Sequence, residues 1–288
     1  MHSLSNSILS IEIASKGAEL QSIFNKETGL EYLWNAGTIW PKKSPVLFPI
    51  VGALKNNTYT YKGVDYSLNR HGFARDMNFD LIGQTDNSLT FSLKSNEATL
   101  RLYPFSFTFM VRYTLHDNSL EITFIIQNNG TEKMYSSVGA HPAFKVPLVD
   151  GTTYEDYYLQ FTKTETAGRW PLSADGLLEN TSTPFLQNTD VLPLKHELFT
   201  NDAIVFKDLE STSISLLRNK THHGLKVSFA GFPYMGIWAA KNADFVCIEP
   251  WCGITDSVNA TQQIEEKEGI NTIESGEVFE RSYSIEVF

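Results

Sequence analysis

The feature that most constrains this chain is a long run with a period of two. Phe105, Phe107, Phe109, Val111, Tyr113 and Leu115 alternate with Ser106, Thr108, Met110, Arg112, Thr114 and His116. Beyond the turn cluster His116-Asp117-Asn118-Ser119, the residues Leu120, Ile122, Phe124 and Ile126 alternate with Glu121, Thr123, Ile125 and Gln127. Successive side chains of a strand point to opposite faces, whereas helical spacing would scatter these aromatics around an axis. The run predicts an antiparallel hairpin with one buried and one wetter face, ended by Asn128-Asn129-Gly130.

The same texture recurs in shorter pieces, at 7–14, 59–61, 88–93, 203–206, 213–217, 225–229, 234–239, 245–248 and 283–288. Turn signals such as Lys62-Gly63 and Ala230-Gly231 separate them. No helical pattern of three or more turns is present, and only Thr261–Glu268 reads as a short helix, stopped by Gly269. Many short strands argue for an all-β fold, a large antiparallel sandwich or barrel-like domain. No linker-like stretch or charge block divides the 288 residues, so 1–288 is expected to form a single domain. With 5 Trp, 12 Tyr and 19 Phe the chain has ample material for a core, which excludes wholesale disorder.

The net charge of −10, from 23 Lys+Arg against 33 Asp+Glu, does not suit a protein that tracks nucleic-acid phosphates. The longest apolar stretch, Val46 to Leu54, is interrupted by Pro49 and Gly52 and falls far short of the ~20 residues that span a bilayer. The opening MHSLSNSILS lacks the basic and apolar regions of a secretion signal. Cys247 and Cys252 alone make neither a disulfide framework nor a four-cysteine zinc site. The expectation is a cytoplasmic protein. The Asn-x-Ser/Thr matches at Asn56, Asn129, Asn180, Asn219 and Asn259 are then chance, given how common these residues are here.

Nucleotide and hydrolase signatures are absent: there is no G-x-G-x-x-G, no Walker motif and no G-x-S-x-G. His196-Glu197 opens an H-E-x-x-H pattern, but the fifth position is Thr200. Chemistry must therefore come from polar residues in unusual settings, and three segments qualify. Asn69-Arg70-His71-Gly72-Phe73-Ala74-Arg75-Asp76 gathers a histidine, two arginines and an aspartate, although a surface ion pair would look the same. In Gly139-Ala140-His141-Pro142-Ala143-Phe144 the imidazole is flanked by small residues that leave room for a ligand; a satisfied core histidine is the plainer account. In Phe245-Val246-Cys247-Ile248-Glu249-Pro250-Trp251 a carboxylate shares the face of Cys247 and Phe245 on an apolar strand. Pro250 is expected to end that strand and leave Glu249 at its mouth, where burial would raise its pKa. Trp251 beside it is either a sugar-stacking face or a core residue. Two histidines and a glutamate fit an acid/base set or a metal triad equally well.

Together with Ser44-Pro45-Val46-Leu47-Phe48-Pro49-Ile50-Val51-Gly52, these segments resemble the aldose 1-epimerase (galactose mutarotase) family, in particular its LacX-like branch. The resemblance covers essentially the whole chain. It implies an antiparallel β-supersandwich and the interconversion of α and β anomers of a free sugar, with no cofactor and no metal. By position Glu249 matches the family's general base, His141 its general acid, and His71 the histidine that helps position the sugar and its ring oxygen. Asp202 matches the aspartate that holds a sugar hydroxyl, and Trp251 joins the substrate contacts. Galactose mutarotases carry a Gly-Arg-x-x-Asn-Arg stretch where this chain reads Gly52-Ala53-Leu54-Lys55-Asn56-Asn57. Lys55, which lacks the planar guanidinium fork, or Arg75 would take the place of that arginine. The departure bears on galactose as substrate more than on mutarotation. A sister branch acts on hexose 6-phosphates through extra basic residues, for which Lys55, Arg70 and Arg75 are the counterparts here. The alternatives are a carbohydrate-binding protein without activity and a metal-dependent sugar enzyme using His71, His141 and Glu249. The expected partner is a small sugar, with neither nucleic acid nor membrane, and the protein acts as a monomer or homodimer.

Overall fold

The computed structural model describes residues 1–219 and 222–288, so Lys220 and Thr221, in the match at Asn219, lie outside the described residues. The period-two run forms the hairpin Phe107–His116 and Ser119–Asn128, paired in unbroken register from Phe107↔Asn128 to His116↔Ser119. Asp117, at φ 48°, makes the tight turn, in the left-handed region that Asp tolerates. Phe107, Phe109 and Val111 are fully buried, and Ile122, Phe124 and Ile126 face the same way from the partner strand.

This hairpin lies inside an antiparallel sheet. Among the described residues it has nine strands, in the order 189–193, 157–165, 213–218, 225–228, 278–287, 119–128, 107–116, 88–94 and 80–84. A second sheet carries the sequence 204–206, 234–238, 245–252, 138–140 and 46–47, with 143–145 also pairing onto 245–252. An N-terminal sheet of 2–5, 9–13, 20–25 and 30–31 adds to the same core. Phe48 joins the layers: its ring stacks on Phe109 at 4.5 Å between centroids and meets Phe107 edge-on at 5.0 Å. The all-β reading therefore holds. Among the described residues no helix is long and apolar enough to cross a membrane.

Two local expectations are corrected. The strand at 245 does not stop at Ile248; it runs to Cys252, with Met235↔Pro250 and Tyr234↔Trp251 in register. A proline removes one ladder donor, and its neighbours' pairing carries the strand past it. Glu249 therefore stands within a buried strand rather than at its end. Residues 261–268 form only the 3₁₀ turn Ile264–Glu266. Gln262 adopts φ 64° and sends its amide back to Thr58 Oγ1 and the Lys55 carbonyl, which breaks helical continuity. The α-helix Glu97–Leu102, capped by the Asn96 side chain, was not foreseen, being too short for a periodic signal.

Truncating Phe109 to alanine removes a ring packed on both sides and is expected to cost ~3–5 kcal/mol. Urea unfolding followed by tryptophan fluorescence would measure it; a loss below ~1 kcal/mol would mean that the two sheets do not share this contact.

Candidate active site

The site is built on a break in strand pairing. Ala143↔Cys247 and Gly139↔Trp251 belong to one antiparallel register along 245–252, and pairing lapses between them at His141-Pro142. The same register carried across the lapse sets His141 opposite Glu249, a cross-strand pair. His141 Nε2 lies 3.3 Å from Glu249 Oε2, and the two side chains are 10% and 2% exposed. They stand side by side on one wall, not on opposite walls of a hollow.

His71 arrives from a different layer. The Asn69–Phe73 turn is tied to the edge segment 48–52: Phe73 N–H and Ala74 N–H donate to the Phe48 carbonyl, and His71 N–H donates to Gly52 O at 2.8 Å. Gly72, at φ 69°, lies so close to Phe48 O that a Cβ would overlap it. Gly52 N–H in turn donates to His71 Nδ1 at 3.1 Å. A nitrogen that accepts this bond carries no proton, so the neutral ring keeps its hydrogen on Nε2. The two imidazoles meet edge to face, 5.7 Å apart.

These residues line a cavity of about 320 Å³. Asp202, Arg70, Arg75 and Trp251 also line it, with Trp40, Trp238 and Thr255. Asp202 sits at φ 69°, in a turn gathered by Arg169, whose guanidinium donates to the carbonyls of Leu198, Asn201, Asp202 and Ala203. Arg70 Nη1 stands 3.7 Å from Asp202 Oδ2 at the exposed rim. Arg75 lies deeper and donates to the Arg70 carbonyl. Lys55 is not among the lining residues; its backbone N–H donates to Asp256 Oδ2, part of the buried Lys267–Asp256 pair that anchors the 253–268 segment. Trp40 stacks on His141 at 5.1 Å and Trp238 meets it edge-on at 5.6 Å. Sequence reading missed both. Trp40 is on an aperiodic loop, held by Trp34 Nε1 donating to its carbonyl and by Glu19 accepting from the following Lys43 and Ser44 amides.

Burial dominates the electrostatics. It pushes Glu249 well above the usual carboxylate range, Asp202 adds to that, and the Trp251 indole works against it. It pulls His141 down to about 3 and His71 well below 6.5, the latter helped by His141 and by Arg75 and Arg70. The His141–Glu249 pair thus favours one proton in total: burial resists both the loss of that proton and the gain of a second. Among the described residues the side chains grouped closely enough to hold a metal are His141, Cys247 and Glu249, all buried, rather than the trio with His71.

Residues 1–282 match the family model for aldose 1-epimerase. The chain is 38% identical to the chromosomal LacX protein of Lactococcus lactis over 295 residues, covering 99% of this chain and 98% of that one. A galactose mutarotase related enzyme from Lactobacillus acidophilus superposes with a TM-score of 0.95 at 37% identity, covering 100% and 97% of the two chains. A galactose mutarotase-like protein from Lactobacillus casei gives 0.94 at 29% identity, with 100% of both covered.

An unfolded chain protonates His71 near pH 6.5 while the folded one does not, so stability is lost as pH falls below that value. In urea titrations at pH 7 and pH 5, His71→Asn should lose less stability than the wild type between the two. Equal losses would mean that His71 is not held neutral.

Proposed function

The chain belongs to the aldose 1-epimerase family, and we propose that it interconverts the α and β anomers of an aldohexose through proton transfer by Glu249 and His141. The observation that carries this reading is the buried 3.3 Å contact between the two groups on the wall of a sugar-sized cavity. The hydroxyl oxygen and the ring oxygen of a cyclic sugar are bonded to the same carbon, so an acid and a base standing side by side can reach both. In the ion-paired form Glu249 takes the proton of the C1 hydroxyl while His141 gives one to the ring oxygen. The bond between C1 and the ring oxygen breaks and leaves an open-chain aldehyde. Rotation about C1–C2 presents the other carbonyl face, and closure returns both protons to their starting groups. One proton resides on the pair before and after each half-reaction, which is the count that burial favours.

The remaining groups take supporting parts. His71 offers its Nε2–H to a substrate oxygen, Asp202 accepts from a sugar hydroxyl, and the faces of Trp251 and Trp40 wall the ring. Arg75, a cavity-lining group, stands for the family arginine better than Lys55, which is not one. Arg70 at the rim and Arg75 below it favour a hexose 6-phosphate as a second substrate reading. No step needs a cofactor. Free, buried Cys247 and Cys252 suit a reducing cytoplasm.

Polarimetry on fresh α-glucose, α-galactose and their 6-phosphates tests the reading. Glu249→Gln and His141→Asn should each lower kcat by ~10²–10⁴-fold while sugar binding persists, and the double variant should be little worse than either single one. A Glu249→Gln protein with the wild-type rate would remove the proposed base. The wild-type rate should stay level through pH 4.5, the ordinary glutamate value, and fall only on the alkaline side as the pair loses its one proton. An acid limb at pH 4.5 would show an ordinary, independently titrating carboxylate.

A further inference from the structure

Cys247 has no part in the proton transfer, yet its thiol stands against the groups that do. Cys247 and Glu249 are two residues apart on one face of the strand 245–252, and His141 faces them from the break at 141–142. The sulfur, the imidazole nitrogen and a carboxylate oxygen lie within 4.8 Å of one another, all three residues buried. The His141 Nε2 to Glu249 Oε2 distance of 3.3 Å already equals the edge of a tetrahedral zinc site, about 3.3 Å for bonds of ~2.0–2.1 Å. We propose that Cys247 Sγ, His141 Nε2 and Glu249 form a binding site for a zinc-class divalent cation, whose occupancy silences the proton pair.

The donor set argues for the class of ion. Thiolate, imidazole and carboxylate together suit zinc, cobalt or cadmium, whereas magnesium and calcium take oxygen ligands. Three protein ligands leave the fourth tetrahedral position facing the cavity, where water or a sugar oxygen can sit. Two of the ligands lie on one continuous strand and the third on the segment paired beside it, so little backbone movement is needed; the wider edges close by side-chain torsion. On binding, the Cys247 S–H proton and the proton shared by Glu249 and His141 both pass to solvent. The ion then engages both lone pairs that mutarotation requires. That inhibitory consequence rests on the proposed function; the binding itself does not.

Cobalt(II) is the probe, titrated into the full-length reduced protein. The expected result is one ion per chain, with an intense thiolate-to-cobalt charge-transfer absorption and the visible bands of a tetrahedral site, both erased by zinc. Cys247→Ala should abolish the sulfur band and weaken binding beyond the roughly 100-fold that loss of an outer-shell partner costs. The same variant should keep its basal mutarotation rate and become insensitive to zinc, while wild-type activity falls with occupancy and returns on chelation. Should the alanine variant fail to fold, Cys247→Ser, which keeps the side chain's size but offers no thiolate, provides the same spectral loss. A wild-type protein without the sulfur band, or a Cys247→Ala protein that binds cobalt equally well, overturns the proposal, and so does magnesium competing for the site. The spectrum needs no turnover, so an absence of mutarotation would count against the proposed function and leave the metal site standing or falling by itself.

Discussion

The pairing of the strand 245–252 with its neighbours is the constraint on which the site depends. One register binds it to 138–140 and to 143–145, and between them lie two residues that do not pair. Pro142 cannot donate to a ladder, and His141 beside it turns to Glu249 instead of joining the sheet. A continuous sheet would have given a cross-strand pair like any other. The lapse opens the sheet face at the point where a carboxylate and an imidazole face each other, with Trp40 and Trp238 closing the sides.

Around this pair the structure arranges burial rather than countercharge. Among the described residues the carboxylate of Glu249 has neither lysine nor arginine in ion-pair contact; its charged-form partner is His141, and the nearby Asp202 adds negative charge. Both members of the pair are therefore held toward their neutral forms, which leaves the one proton on Glu249 at rest. The charged residues that do form conventional contacts lie at the rim or behind it. Arg70 meets Asp202 where both are exposed, and the buried Lys267–Asp256 pair fixes the loop that packs on Gly52. His71 reaches the cavity because Gly52 and Phe48 hold its turn, and Phe48 is itself stacked on the hairpin core. Core packing and site geometry are thus joined through Phe48 on the His71 side, and through Phe245, in contact with Trp40 and Trp238, on the His141 side.

Much of the sheet structure was legible. The alternation at 105–127 marked its hairpin to within two residues, because a strand half-buried in a sandwich must repeat every second residue. Strands such as 46–47, 138–140 and 143–145 escaped notice, being too short and too uniformly apolar to show a period. The residues of the candidate site were legible as residue types in odd settings: a glutamate on an apolar strand, a histidine among small residues, a histidine before a glycine, and all three line one cavity. What failed was local. Proline was read as a stop after Glu249, whereas sheet pairing on both sides carries the strand through it. Lys55 was weighed as a sugar contact on its position in a motif, and the backbone of that segment is drawn instead toward Asp256.

The sequence by itself determined the all-β class and the family, and it singled out Glu249, His141 and His71, which line one cavity, since alternation and motif chemistry are written residue by residue. Only the tertiary structure decided that Glu249 and His141 share one wall, that Cys247 joins them, and that Trp40 and Trp238 enclose them. Those relations are cross-strand and cross-layer contacts between segments distant along the chain. Their register is fixed by the packing of whole sheets, which no local pattern records.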